Sequence, residues 1–450
     1  MADYIYLLYG FAIIVSIAIV RVESGGRVLF TPVTLFVLLD IFVNWPGLVV
    51  GEADGWLTSS LTPLIFLAAT VSFALGVMLT RSAAGWTNDM PTRYQSELPL
   101  PIDSGKVLTW CWITAGLMVA GTLFLHKGIP QPLIGFLRDS TKQLLTEAYD
   151  ARFNSTKSAY FGGEYRGQGF FRTFNLLFSY MISAGGAYLI AMHGLRYWRH
   201  LVGLALILIA VGLSNATRGD LFVVIASALI ACGFLFRVRV RHVILAGVVL
   251  MGAMIGLTAL QGRIRETKGV SQSVLTKSSL EIVTRILAGN SIHTVQVIEM
   301  VQHGFLIVPF GDTTLTDINN SIPFAKKKLP LAFQINRFTE PHGHGITTFN
   351  TMTYLGPCFA DFGLIGVIII YFLLAFVLTQ AEIYFLKRPK SLPGVMALVV
   401  LGILSMLNLP IGGPIQFLPD AIIGAALIYG FTRYSTPRPP TRAQPIPASA

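Results

Sequence analysis

The sequence predicts an all-α, polytopic integral membrane protein, and two observations support this prediction. The 450-residue chain is 53% hydrophobic and only 12% charged, about half of the roughly 25% charged residues typical of a soluble domain. It also contains about eleven apolar stretches, most of them near the roughly 20 residues that cross a bilayer core. This composition excludes both a water-soluble globular enzyme and an intrinsically disordered chain.

The apolar stretches are the predicted transmembrane helices. The stretch 201–215 is short and ends in a polar run from Ser214 to Gly219. Residues 201–236 are therefore predicted either as two spans joined by a tight turn or as one broken hairpin. We expect residues 1–434 to form a single transmembrane domain. In chain order the stretches cover about 4–20, 28–50, 57–79, 106–125, 171–193, 201–215, 219–236, 243–260, 357–386, 394–410 and 415–434.

Lys and Arg residues predict the orientation, because short cytoplasmic loops retain them. With the N-terminus outside, basic runs such as Arg237 to Arg241 and Lys387 to Lys390 fall on the inner side. The net charge of +11 is then mostly a topology signal and requires no nucleic-acid partner. The proline-rich tail 435–450 is predicted to be a disordered cytoplasmic end.

Two outer segments, about 126–170 and 261–356, are too long to be simple connections, and loops of this length are usually functional. Both contain apolar residues at helical spacing with charged residues between them, for example from Val274 to Val301. We expect amphipathic helices there, either on the membrane surface or in a cavity between spans.

Arginines are concentrated in these outer segments among aromatic residues and glycines. A guanidinium presents a planar set of donors that matches phosphate oxygens and stays charged at any working pH. The pattern predicts a site for a substrate that carries phosphate and carbohydrate. The alternative is that the arginines pair with loop acids for solubility. The candidates are Arg152, Arg166, Arg263, Arg265 and Arg337.

Arg218 is a separate candidate, because it lies at the junction of two apolar runs. A charge near hydrocarbon is costly and is usually functional or paired. The alternative is an ion pair with Asp220 that stabilises a hairpin.

Glu340, His342 and His344 form the remaining polar cluster, in a glycine-containing run that precedes Asp361 and a long span. Glycines beside a histidine let the backbone bend and bring an imidazole to a ligand. Two histidines at this spacing are too few for zinc, and neither an E-x-x-H motif nor a cysteine pair supplements them. We therefore expect no metal. The absence of D-x-D on an outer loop and of a Walker A run disfavours metal-dependent sugar transfer and nucleotide-driven transport.

The order of these features resembles the bacterial oligosaccharide repeat-unit polymerases of O-antigen and exopolysaccharide assembly, the Wzy type. The resemblance covers about 200–386 and rests on Thr217 to Gly219, the large Arg-containing outer loop, and Thr351 to Tyr354 leading into Phe359 to Gly366. Some members carry an arginine and a glycine eleven positions later in each long loop, as Arg152 and Gly163 do here. Arg337 instead precedes Gly343 and Gly345.

The resemblance implies a GT-C-like membrane glycosyltransferase of the bacterial inner membrane with its active site facing the periplasm. Such an enzyme transfers a glycan from undecaprenyl pyrophosphate to a new lipid-linked repeat unit, without a cofactor or metal. Its expected partners are this lipid-linked oligosaccharide, the bilayer, a chain-length regulator and a flippase. Arg218, Arg263, Arg265 and Arg337 would contact the pyrophosphate, and Arg152 and Arg166 would assist or hold glycan.

The general base is left open among His344, His342 and Glu340, with Asp361 a weaker candidate because it can cap the helix that follows it. Two other functions also remain open. One is an O-antigen ligase-type transferase, although His344 lies further from Asp361 than the ligase pattern would place it. The other is a lipid-linked oligosaccharide flippase or transporter, which needs charged residues along a path through the bilayer, where Asp40 is nearly the only acid.

Overall fold

The computed structural model describes residues 2–24, 31–87, 89–125, 168–214, 218–236, 291–321 and 352–435, with the single residues 252, 328 and 331. Within these ranges all regular secondary structure is helical, which confirms the predicted class. The helices are α1 (Ala2–Ser24), α2 (Pro32–Leu39), a π-helical turn (Asp40–Asn44), α3 (Trp45–Ala53), α4 (Leu61–Ala83), α5 (Met90–Ser96), α6 (Ser104–Leu125), α7 (Gln168–His193), α8 (Trp198–Ser214), α9 (Arg218–Leu235), α10 (Ser291–Gln302), α11 (Asp312–Ser321), α12 (Leu355–Leu386) and α13 (Leu392–Ser435).

Several of these helices are long and apolar enough to span a membrane, which is typical of a membrane protein. In the described part of the chain five helical segments meet that criterion, and four shorter apolar helices accompany them. Every predicted apolar stretch coincides with a described helix except 243–260, which lies outside the described residues apart from residue 252. The number of spans and the GT-C-like arrangement remain predictions.

Helices α4 and α12 form the most closely packed pair and run parallel. Both start against α10, where the Glu299 carboxylate accepts a hydrogen bond from Thr62 and Gly356 lies against Thr294. At their far ends the Lys387 Nζ donates to the Ala84 carbonyl at 2.7 Å. In between, a Cβ on Gly76 would lie 2.7 Å from the α12 backbone. Glycine is therefore what permits this close approach.

The packing defines two ends of the bundle. One, the loop face, holds residues 54–62, 291–321 and 352–361, and the other, the opposite face, holds residues 84–103, 194–200 and 387–391. Helix α6 begins at the opposite face, where Ser104 Oγ lies 2.8 Å from Tyr197 Oη. Thr122, about 27 Å further along the helix, bonds Asn175 in the first half of α7. Residues 125 and 168 therefore both lie toward the loop face.

The 44 residues of α13 fold back on themselves instead of extending as one rod. A straight helix of this length would measure about 66 Å. Yet a Cβ on Gly424 would lie 3.0 Å from Val400, and the carbonyls of Lys390 and Ser435 accept from Leu100 and Lys106. The two arms correspond to the predicted spans 394–410 and 415–434.

Helix α10 packs against a pair of glycines four residues apart on α3. Gly47 faces Ser291 directly, and a Cβ on Gly51 would lie 3.0 Å from Val295. Small residues at this spacing let two helix backbones approach closely. The amphipathic pattern predicted for Val274 to Val301 thus continues as a helix with a buried face over Ser291–Gln302, while residues 274–290 lie outside the described part.

The opposite face is held together by a buried lysine. Lys390 Nζ donates to the Gln95 carbonyl at 3.1 Å and lies 5.2 Å from the centre of the Tyr94 ring. Burial lowers the pKa of Lys390 to about 8. Gln95 in turn donates to the carbonyl of Gly233 in α9 at 2.9 Å. The short helix α5 therefore joins α9 to the α12–α13 connection.

A methyl group at Gly76 tests the close packing of α4 and α12. Gly76→Ala should destabilise the protein by about 2 kcal/mol, because the new Cβ meets backbone instead of a flexible side chain. Thermal unfolding in detergent measures the effect. Gly116→Ala in α6 is the matched control, since its Cβ would meet nothing within 4 Å. Equal melting temperatures for the two variants would contradict this packing.

Candidate functional site

The loop face is organised around two buried carboxylates, and the first is Glu299 of α10. It accepts hydrogen bonds from Thr58 N and Oγ1, from Ser59 N and from Thr62 Oγ1, at 2.6 to 3.3 Å. These donors lie in the segment that leads into α4 and in its first turn. A carboxylate is the acceptor that suits several converging donors, because each charge-assisted bond is stronger than a neutral one. Glu299 therefore ties α10 to the entrance of α4.

His303 extends this cluster toward solvent. Its Nε2 lies 2.8 Å from Thr58 Oγ1 and 3.4 Å from the Glu299 carboxylate. Because Thr58 Oγ1 donates its proton to Glu299, the hydroxyl accepts from His303, which places the imidazole proton on Nε2. The side chain of His303 is about half exposed, so the imidazole stands at the surface in a defined orientation.

The second carboxylate is Asp361, which caps α11. Its two oxygens accept from Thr313 N at 3.0 Å, Thr314 N at 2.8 Å and Thr314 Oγ1 at 2.6 Å. The first N–H groups of a helix have no intrahelical partner, and a carboxylate there is also favoured by the helix dipole. The sequence suggested Asp361 as a cap for the helix that follows it. Instead Asp361 lies within α12 and caps a helix about 50 residues earlier.

A break in α12 follows Asp361 directly. Gly363 has φ 64° and ψ −166°, a region that is essentially limited to glycine. The break ends the first segment of α12 at the loop face, and the long apolar part runs on from residue 364. Phe362 before the break packs edge-on against Phe310, with ring centres 5.1 Å apart. The break thus fixes the position of α11 relative to the bundle.

Asp317 on α11 lies close to Asp361 and has an altered pKa. Burial, with a further contribution from the negative charge of Asp361, raises the pKa of Asp317 to about 6. Tyr354 and Cys358 belong to the same group of buried residues, since the charge of Asp361 acts on both. A carboxyl group with a pKa near 6 exchanges a proton close to neutral pH, which suits general acid–base chemistry.

Exposed apolar side chains surround these acids. Phe305, Ile307 and Phe310 are 73%, 87% and 82% exposed, and the glycines that flank them, Gly304 and Gly311, have positive φ. Leu315 and Ile318 of α11 are exposed as well. We call these five residues the apolar rim. Exposed large apolar side chains grouped within a short segment are typical of a binding or membrane-contacting region.

Only two of the residues singled out from the sequence lie within the described part of the chain. Asp361 is on the loop face. Arg218 opens α9, whose other end is held at the opposite face through Gly233. Because α9 has 18 residues and is about 27 Å long, the backbone of Arg218 lies toward the loop face. Arg152, Arg166, Arg263, Arg265, Arg337, Glu340, His342 and His344 lie outside the described residues, so their roles remain predictions.

Sequence reasoning missed the roles of Glu299, His303 and Asp317. Glu299 and His303 are four residues apart on one helix face, a spacing at which side chains meet, so their mutual contact was detectable. Their contact with Thr58 was not, because 241 positions separate Thr58 from Glu299. Within the described ranges no group of three or more His, Cys, Asp or Glu residues is arranged to hold a metal, and the three cysteines are free.

The described structure therefore defines a helical membrane protein with a polar, partly buried site at one end of the bundle. Comparison with models of known protein families, with curated proteins and with solved structures gave no match to this chain. Its function is consequently inferred from the residues and their arrangement.

Neutralising Glu299 tests the first anchor of the loop face. Glu299→Gln should lower stability by about 2 kcal/mol, because one of its oxygens is replaced by an amide that cannot accept from Thr58 and Ser59. The melting temperature of the purified protein measures this loss. Asp54→Asn, at an exposed position on the same face, should leave the melting temperature unchanged. A loss of equal size in both variants would show that general surface charge, and not the anchor, is responsible.

Proposed function

We propose that this protein is a membrane glycosyltransferase that polymerises oligosaccharide repeat units carried on undecaprenyl pyrophosphate into O-antigen or exopolysaccharide. The reaction takes place at the loop face, which is the periplasmic side of a bacterial inner membrane. The proposal rests on the observation that separate parts of the chain meet at one end of the bundle. The ends of segment 126–167, the described part of segment 261–356 and the first residue of α9 all lie toward one end of the bundle.

This convergence supports a shared anion site. Arg152 and Arg166 belong to the first segment, Arg263, Arg265 and Arg337 belong to the second, and Arg218 begins α9. We propose that arginines from both segments and Arg218 act on one pyrophosphate. Such groups are most effective in a partly water-excluded site, where they stabilise charge that develops as the leaving group departs.

The described cations support the proposed orientation. Arg93, Arg196, Arg199, Lys387 and Arg388 lie at the opposite face. Toward the loop face the described cations are Lys328, which is bonded to Asn320 of α11, and Arg172 and Arg218 in the first turns of α7 and α9, and the acids Glu299, Asp312, Asp317 and Asp361 outnumber them. An excess of Lys and Arg in short loops is typical of the cytoplasmic side. The loop face is then periplasmic, with the N-terminus periplasmic and the C-terminus cytoplasmic.

The proposed reaction is a displacement at the anomeric carbon of the donor glycan. A hydroxyl oxygen of the acceptor sugar forms the new glycosidic bond, and the bond to the pyrophosphate oxygen breaks. The pyrophosphate leaves with the electron pair and is stabilised by the arginines, and the hydroxyl proton passes to a base. His344, His342 and Glu340 remain candidate bases, and Asp317 joins them because its pKa of about 6 suits this role.

The apolar rim supports a lipid-linked substrate. Leu64 in the first turns of α4 and Ile365 just after the break in α12 are also exposed, on helices apolar enough to span a membrane. We propose that these side chains and the apolar rim face acyl chains. A polyprenyl chain can then remain in the bilayer while its pyrophosphate reaches the polar site above. The bilayer and the lipid-linked oligosaccharide are the partners this arrangement requires, and a chain-length regulator and a flippase are expected to accompany it.

A product ladder is the direct test. Purified protein in nanodiscs, given a synthetic undecaprenyl pyrophosphate-linked repeat unit and EDTA without nucleotide, should yield products that differ by one repeat. Arg218→Ala should reduce the rate at least 100-fold, because a cation at the leaving group is lost. Arg93→Ala, on the opposite face, should be active. A single transfer to a different acceptor would indicate a ligase, and movement of the lipid without elongation would indicate a flippase or transporter.

The pH dependence of the rate tests Asp317. The wild-type rate should rise through a pKa near 6, because only the ionised carboxylate can accept the hydroxyl proton. Asp317→Asn should lower kcat by about 100-fold and remove this inflection, with KM little changed. Asp312→Asn, an exposed acid on the same helix, is the control. A full rate in Asp317→Asn would assign the base to another candidate.

A further inference from the structure

A second polar site lies inside the bundle, away from the loop face. Asp40 is the first residue of the π-helical turn Asp40–Asn44, within the candidate span Pro32–Ala53, and only 7% of its surface is exposed. π-helical turns inside α-helices occur frequently at functional sites. An acidic side chain within an apolar span is energetically costly unless neighbouring groups compensate for its charge.

The partners of Asp40 are neutral hydrogen-bond donors. Asn44 Nδ2 and Thr70 Oγ1 each donate to one carboxylate oxygen at 2.7 Å, and Trp45 Nε1 donates to Thr70 at 3.2 Å. Within the described ranges no Lys, Arg or His forms an ion pair with Asp40. Donors of this kind stabilise an ionised carboxylate but supply no positive charge to balance it.

A small cavity adjoins this carboxylate. It is lined by Ser16 of α1, Asp40, Thr70 of α4 and Tyr371 of α12, among apolar side chains, and its volume is about 10 Å³, close to the smallest volume that holds one water molecule. Ser16 is 5% exposed, and its Oγ has no hydrogen-bond partner among the described residues. A buried hydroxyl without a partner is costly and indicates an occupant of the cavity.

We propose that this cavity binds one small monovalent cation, Na⁺ or a hydronium ion, between the Asp40 carboxylate and the hydroxyls of Ser16 and Thr70. A water molecule would satisfy Ser16, but the carboxylate would then have no counter-charge and could stay buried only by taking up a proton. A cation satisfies both requirements, and a small cavity lined by oxygen donors favours a small, hard ion. This site is independent of the proposed glycosyltransferase activity.

The cation would link the elements that carry the loop face. Ser16 lies on α1, Asp40 follows α2, Thr70 lies on α4 and Tyr371 on α12. Helix α4 is joined to Glu299 and α12 carries Asp361. Occupancy of the cavity therefore stabilises the relative position of the two helices that hold both carboxylate anchors.

Ion-dependent thermal unfolding of the full chain in detergent tests the site. With NaCl, KCl or choline chloride at equal ionic strength and pH 8, Na⁺ alone should raise the melting temperature by several degrees in a saturable manner. Asp40→Asn should abolish this rise, and Ser16→Ala should shift it to higher Na⁺ concentration. Ser227→Ala is the matched control, because Ser227 is a buried serine bonded to Ser183 in another interface.

A change of pH distinguishes a bound hydronium ion from bound Na⁺. With hydronium bound, Na⁺ has no effect, and acidification from pH 8 to 5 stabilises the wild type relative to both Asp40→Asn and Ser16→Ala. Acid stabilisation that Ser16→Ala retains in full would show that Asp40 takes up a proton without a bound ion, and would overturn the proposal. The titratable groups that face Asp40 are Tyr9 on α1 and Tyr371 on α12, and phenols stay neutral below about pH 9. If neither Na⁺ nor this pH range distinguishes wild type from Asp40→Asn and Ser16→Ala, the proposal is wrong. If Asp40→Asn fails to fold, the Na⁺ and pH titrations of the wild type and of Ser16→Ala still test the proposal.

Discussion

Backbone N–H groups before and within the first turn of a helix need hydrogen-bond acceptors, and this requirement organises the loop face. Where these groups are buried away from water, partners must come from the protein. Glu299 accepts from the chain entering α4, and Asp361 accepts from the first turn of α11. Each carboxylate lies on a different element from the donors it serves. The hydrogen bonds of the two carboxylates together join the segment 291–321 to the bundle.

Several features of the site follow from these two anchors. The Asp361 anchor fixes α11 and brings Asp317 near a second negative charge, so the raised pKa of Asp317 is a consequence of how the helix is held. The Glu299 anchor orients His303 through Thr58. The cavity beside Asp40 is lined in part by α4, which is bonded to Glu299, and by α12, which bears Asp361, so the interior and the loop face share one framework.

Much of the fold was predictable, because an apolar run near bilayer length has few alternatives to a helix. The two arms of α13 illustrate this, since the sequence already separated 394–410 from 415–434. Local irregularities were not predictable. The π-helical turn at Asp40, the break at Gly363 and the polar helix α11 depend on contacts with distant residues. Asp361 was recognised as a capping residue, but the helix it caps was misassigned because capping was considered only along the chain.

The sequence by itself determined the class of protein and its helices, since hydrophobicity and helical spacing are local properties of the chain. Only the tertiary structure decided which polar groups meet, because Thr58 and Glu299, Asp361 and Thr313, and Ser16 and Asp40 are brought together by helix packing and not by spacing. Carboxylates within or beside an apolar bundle are tolerated where donors converge on them, and that convergence exists only in three dimensions.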